Sequence, residues 1–227
     1  MFDLSDYDLE AIFNEGSYYP EFLECPDTTT LKQDGRYIEA MSVMVEKEEY
    51  AVCVKGSLGE NYWANSKPGD YGQGLLRESG DEYKTVRTGL LGQMAFAKLF
   101  HDRLDVKYRE FGDEFDNLID QYKIDIKCAA RNYGRTLVRC SGRGYEINKD
   151  YYVGGFVERE EREYGWARVV MVGWVDKAYV LNQPRVDAIR GSHKNKEMWF
   201  SEMRPLTELM EILNHGRAKK TLVAGSV

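Results

Sequence analysis

Hydrophobic and polar positions along the chain follow two rhythms. Between residues 83 and 103, Val86, Leu90, Met94, Ala97 and His101 recur at helical spacing, and Leu91, Phe96, Leu99 and Phe100 widen the same face. That period predicts a long amphipathic helix with Thr85 or Thr88 near its start. Gly89 and Gly92 each cost about 1 kcal/mol of helix propensity relative to alanine, so they belong where the helix presses close to a sheet. Farther on, the apolar runs Asn117–Ile119 and Ile124–Ile126 flank polar Asp120–Lys123. This predicts a tight hairpin with its two-residue turn at Gln121-Tyr122. In that register Asp116 lies opposite Lys127, and Leu118 opposite Asp125. Side chains alternate faces along a strand, so Asp116, Asp125 and Lys127 share one face while Ile119, Ile124 and Ile126 share the other. Asp116 and Asp125 become diagonal neighbours, with backbones on the order of 7 Å apart. A slip of one residue would undo the arrangement.

The remaining pattern frames this hairpin. Tyr151–Val157 and Arg168–Val175 read as central or near-central strands, joined by the charged stretch 158–165. Pro205 at a first helical turn opens a helix over Leu206–Leu213 that Gly216 ends. Residues 3–14 suit a short amphipathic helix, with Ser5 or Asp6 as cap and Leu9, Ile12 and Phe13 turned inward. Tyr37–Val45 and Tyr50–Lys55 read as strands of another hairpin, turning at Glu46–Glu49. The glycines from Gly56 to Gly74 match neither a Walker loop nor a dinucleotide fingerprint. Tyr62 and Trp63 within that stretch are candidates for stacking on unpaired bases. The expectation is an α/β protein, one mixed sheet flanked by helices. An N-terminal extension (1–82) carries the helix, hairpin and glycine-rich loop, a core follows (83–215), and a flexible tail closes the chain (216–227).

Charge changes the picture once it is located. The net charge of −7 looks wrong for a nucleic-acid partner, but residues 1–35 hold nine acids against Lys32, a net of −8, which leaves +1 for the rest. That acidic segment is a candidate surface for a protein partner. From Lys127 to Tyr145 there are five positive residues and no acid; Arg131, Arg135, Arg139 and Arg143 recur every fourth position, with Tyr133 and Tyr145 interleaved. In an extended strand all four arginines share a face, a strip suited to backbone phosphates. The composition, 43% hydrophobic, supports a packed interior, and the longest apolar run, Val169–Val175, is far too short to span a bilayer. The acidic N-terminus lacks the parts of a signal peptide. Cysteines at 25, 53, 128 and 140 form no Cys-x-x-Cys pair, the usage of a cytoplasmic protein with reduced thiols.

Two acids with a lysine two residues beyond the second suit metal-dependent phosphodiester cleavage. Mg²⁺ takes hard oxygen ligands, commonly one or two carboxylates plus substrate phosphate and water. It lowers the pKa of water and neutralises charge growing on phosphorus, and a lysine beside it orients the attacking water or stabilises the same charge.

The arrangement resembles the PD-(D/E)XK nuclease superfamily of restriction endonucleases, phage exonucleases and junction resolvases. Phe115-Asp116 corresponds to its Pro-Asp element and Asp125-Ile126-Lys127 to its acid-x-Lys element. Thr88–Phe100 is similar to the first core helix, Gly-x-x-Gly-Glu-x-Ala. Met198–Leu209 is similar to the closing strand and Leu-Arg-Pro helix start of phage-type members. The resemblance covers roughly residues 83–215. It implies a restriction-endonuclease-like core and a Mg²⁺-dependent deoxyribonuclease, with Mn²⁺ as substitute. Asp116, Asp125 and the Ile126 carbonyl would hold the metal, and Lys127 would serve the attacking water. If phage-encoded, the protein would act in the host cytoplasm, as a monomer or a homodimer. Gln93 stands where the family helix carries a glutamate; it brings no charge, so Mg²⁺ affinity should fall. Glu110, Asp113 and Glu114 are candidates to compensate. The alternative is a silent nuclease fold that binds nucleic acid or a protein partner as a regulator.

Overall fold

The computed structural model describes residues 2–58, 84–106, 116–140, 147–187 and 194–214. In chain order the strands are β1 (Ser17–Tyr18), β2 (Asp27–Gln33), β3 (Arg36–Val45), β4 (Leu104–Asp105), β5 (Asn117–Ile119), β6 (Tyr122–Ala129), β7 (Arg135–Arg139), β8 (Tyr151–Glu161), β9 (Trp166–Asp176), β10 (Arg185–Asp187) and β11 (Lys194–Trp199). The helices are α1 (Glu10–Glu15), α2 (Lys47–Leu58), α3 (Lys84–Phe100), α4 (Lys177–Asn182) and α5 (206–214). Among the described residues, six strands form a central mixed sheet in the order β2-β3-β9-β8-β6-β5. Its neighbours run antiparallel except β6 and β8, which are parallel. A smaller antiparallel sheet, β10-β11-β7, and the short pair β1-β4 complete the strand pairing. This is an α/β fold with helices flanking a mixed sheet. No helix among the described residues is long and apolar enough to cross a membrane.

The sheet has two covered faces, which is why β8 and β9 are almost continuously apolar. On one side lies the main core, where α2, α3 and α5 pack on Val43, Val153, Val169, Ile124 and Ile126. Gly92 of α3 makes this contact possible, because a Cβ there would sit 2.4 Å from Cys128 Cβ. Gly89 has nothing within 4 Å of such an atom, so only one of the two helical glycines serves close approach. On the other side the small sheet covers Tyr152 and Val175 with Val138 and Met198. Thr136 and Val138 of β7 point inward, while Arg135, Leu137 and Arg139 alternate outward.

Three expectations for the N-terminal and C-terminal parts are corrected. Tyr50–Lys55 is not a strand but the middle of α2. Glu49 Oε2 accepts the Glu46 backbone N–H at 2.8 Å, the carboxylate half of a capping box. Four consecutive residues, Tyr50 to Cys53, are buried, which a helix wedged against α3 and β9 allows. The hairpin that does form is β2-β3, turning on Asp34-Gly35 with φ of 49° and 76°; positive φ at both turn residues suits a two-residue hairpin. It enters the central sheet through β3 and β9, so residues 27–45 are built into the sheet. Third, Met198-Trp199 belongs to β11 in the small sheet and does not close the central one. The N-terminal helix is split into a 3₁₀ turn at Leu4–Asp6, capped by Asp3 through the Ser5 N–H at 2.9 Å, and α1. Residues 216–227 lie outside the described residues.

Candidate functional site

The β5-β6 hairpin forms, but with a different turn. The closing pair is Ile119 with Tyr122, so Asp120-Gln121 makes the turn, with Asp120 at φ 57°. Tyr122 is drawn into the strand, where its ring packs 5.3 Å from Tyr151. The partner register moves by two positions, an even step, so the sorting of β6 side chains between faces survives. Ile124 and Ile126 enter the α3-side core, and Asp125 and Lys127 project from the opposite face.

Asp116 occupies a fork. Its backbone N–H is donated to the Ile124 carbonyl at 3.1 Å, although Ile124 already faces Asn117. Two residues opposite one is the signature of a β-bulge, which bends the strand and re-aims a side chain. Asn117 anchors the bend by donating from Nδ2 to Asp102 Oδ2 at 2.9 Å and to the Arg103 carbonyl at 3.3 Å. Among the described residues β5 pairs with β6 only as far as Asn117 and Ile124, and Asp116 Oδ2 accepts the Ile126 N–H at 2.5 Å. Asp116 Oδ1 accepts from Gln93 Nε2 of α3 at 3.0 Å. The carboxylate therefore lies along the β6 backbone at Ile126, not side by side with Asp125 on the outer face.

Asp125 is 8% exposed and its Oδ1 accepts from Lys127 Nζ at 2.9 Å. The Lys127 side chain is 32% exposed. Burial works against its charge, but the Asp125 and Asp116 carboxylates outweigh it and raise the ammonium's pKa above lysine's ordinary value. With both carboxylates free of a cation, Lys127 is thus held as an ammonium. Parallel pairing sets Tyr152 beside Asp125 on the same face. Tyr152 is 1% exposed, and its hydroxyl accepts the Lys149 N–H at 3.4 Å. Burial first, then the negative Asp125, pushes its pKa up to about 12 against the Lys149 hydrogen bond. Sequence reasoning passed over Tyr152, because β6-β8 parallel register joins residues far apart with no local signal.

The donor set favours one kind of cation. Among the described residues no group of three or more His, Cys, Asp or Glu is placed to hold a metal ion. Hard carboxylate oxygens completed by water and phosphate are the donor chemistry of Mg²⁺; here Asp116 accepts from Gln93 and Ile126, and Asp125 from Lys127. Gln93 uses its amide N–H₂ as a donor to Asp116, so in this arrangement it supplies positive dipole to the carboxylate instead of oxygen to a metal.

The structure does not bring the arginine strip together with the acids. Arg135 and Arg139 face outward on the small sheet, away from the central sheet. Arg135 donates to Glu197 Oε1 at 2.8 Å and lies 4.9 Å over the Trp199 ring. Arg131 precedes the turn at Gly134 and lies 4.8 Å over Tyr133. Arg143, Tyr62, Trp63, Glu110, Asp113 and Glu114 lie outside the described residues.

No protein-family model, curated protein or solved structure matches this chain.

Proposed function

We propose that this chain is a Mg²⁺-dependent DNA nuclease, hydrolysing phosphodiester bonds at the fork between β5 and β6. The observation that carries the reading is the conjunction of Asp116 on the β6 backbone at Ile126 with the Asp125–Lys127 ion pair. Asp116 and Asp125, with the Ile126 carbonyl, would hold the ion, which supplies Lewis acidity toward the scissile phosphate. Lys127 stays protonated and contributes charge, donating to a phosphate oxygen or orienting the attacking water. Buried Tyr152 keeps water from the Asp125 side of the pair. The scattered free thiols suit a reducing compartment, so the reading places its action in the cytoplasm.

The reading is tested by Mg²⁺ and Mn²⁺ titration calorimetry alongside DNA cleavage for wild type, Asp116→Asn and Asp125→Asn. Each variant should lose metal binding and cleavage together while keeping a cooperative unfolding transition. Metal binding unchanged in both variants would remove the site.

A second reading has one observation in its favour. The Gln93 amide already satisfies Asp116 at 3.0 Å, so the carboxylate is stable without a cation, as expected of a silent nuclease fold that binds DNA or a protein partner as a regulator. Under it, wild type binds DNA without turnover, and Gln93→Glu gains metal binding.

A further inference from the structure

Two arginine–aromatic stacks stand at the start of β7, on the second sheet. Arg131 lies over Tyr133 at 4.8 Å and Arg135 over Trp199 at 4.9 Å. Tyr133 is 52% exposed, and Leu137, on the outward face with Arg135, is 44% exposed. One exposed ring, a half-buried indole under a guanidinium and an exposed leucine thus lie on and just before β7. The charge of Arg135 is matched by Glu197, so what this residue presents is chiefly its flat guanidinium packed on indole. Arg131 is exposed, and Arg139 follows on the outward face. From Ala129 to Arg139 there are three arginines and no acid, within a chain of net charge −7. The complementary ligand carries flat apolar rings and negative charge at regular spacing. A lipid headgroup has the charge without the rings, an acidic peptide has few rings, and a duplex hides the faces of its bases.

We propose that this strip binds single-stranded nucleic acid, stacking unpaired bases on Tyr133 and on the Arg135–Trp199 pair while Arg131 and Arg139 meet phosphates. The inference rests on the nucleic-acid part of the proposed function and adds the substrate class. It also separates binding from chemistry, since Arg135, Leu137 and Arg139 point outward on the small sheet. Base–aromatic stacking and stacking on guanidinium planes tolerate any sequence, so the strip selects strandedness and not base identity.

The test is fluorescence anisotropy of the full chain with labelled oligo(dT), oligo(U) and a duplex, in chelator so that nothing is cleaved. Wild type should bind a single strand more tightly than the duplex; the dT and U arms tell DNA from RNA, and preference for either supports the strip. Tyr133→Leu should weaken single-strand binding by about 5- to 150-fold and leave duplex binding unchanged. Because it removes no charge, it should not alter the salt slope, whereas Arg131→Gln should flatten that slope by roughly 0.7. Tyr133→Leu binding like wild type, or an equal loss on duplex, would overturn the inference, as would no single-strand binding by wild type. Single-strand binding lost in Tyr133→Leu, with no cleavage of any DNA by wild type, would remove the nuclease reading and leave this one standing. Duplex cleavage without single-strand binding would do the reverse.

Discussion

Replacing Gln93 by glutamate reports on the electrostatics of the fork. In the native protein Gln93 Nε2 donates to Asp116 Oδ1 at 3.0 Å. An isosteric glutamate turns that donor into a second carboxylate. Two unit charges at about 4 Å repel by about 4 kcal/mol at an effective dielectric near 20. The pair can escape by binding one proton, which from an ordinary glutamate pKa costs about 3.7 kcal/mol at pH 7 and about 1 kcal/mol at pH 5. The smaller cost governs, so Gln93→Glu should lose about 4 kcal/mol of stability at pH 7 and about 1 kcal/mol at pH 5. The sign follows from linkage: a raised folded-state carboxyl pKa means the native state binds the extra proton, so stability rises as pH falls. A cation drawn to the three carboxylates should reverse the loss. Mg²⁺ at one hundred times its Kd restores about 2.7 kcal/mol. Urea unfolding at pH 5 and pH 7, with Mg²⁺ and with chelator, measures all of this. A variant as stable as wild type at pH 7, and indifferent to Mg²⁺, would refute the claim that position 93 lies against Asp116 at the proposed metal site.

Other perturbations have opposite or separable signs. Gly92→Ala should destabilise by about 1–3 kcal/mol, because its Cβ meets Cys128 Cβ at 2.4 Å, while Gly89→Ala, with open space, should stabilise by about 0.5–1 kcal/mol; thermal unfolding of the two reads both. Lys98→Met strands the buried Glu49, whose Oε1 has no hydrogen-bond partner among the described residues, and should cost about 3–5 kcal/mol at pH 7 and less as pH falls, because burial already raises the Glu49 pKa. Burial opposes the Glu160 charge, but Arg87 and Tyr50 hold its pKa below the ordinary value. The stability this brings is present above about pH 4.5 and is lost as pH falls through the lowered pKa, so the acid limb of a urea-midpoint profile should flatten in Arg87→Met. Because Lys127 has a raised pKa, the pH–rate profile for cleavage should show no lysine limb below about pH 10. A limb that disappears in Lys127→Arg would contradict its role as a fixed cation.

What could be read in the sequence was local. The helical period of 83–103 and the apolar runs of β8 and β9 are properties of contiguous residues, and all three elements form. The separation of Asp125 and Lys127 from Ile124 and Ile126 also held, because an even shift of register preserves faces. The turn itself was misplaced, since Tyr122 gains more by packing on Tyr151 than by occupying a turn. For α2, alternation of Tyr50, Val52 and Val54 with smaller residues resembled a strand, and the Glu46–Glu49 cap that starts the helix was mistaken for a turn. The bulge at Asp116, the Gln93 contact, Tyr152 beside Asp125, and the pairing of β7 with β11 all depend on residues distant in sequence. The arginine spacing was visible; which way β7 turns its arginines was not, because that is set by which sheet β7 joins.

The most direct test of the account is cleavage of linear, nicked, branched and single-stranded DNA in Mg²⁺ and Mn²⁺ by wild type beside Lys127→Ala. The account predicts that wild type cuts at least one of these substrates only when a divalent cation is present. Lys127→Ala should lose on the order of a hundredfold or more in rate while keeping its metal binding. Cleavage by Lys127→Ala at the wild-type rate, or no cleavage by wild type in either metal, would contradict it.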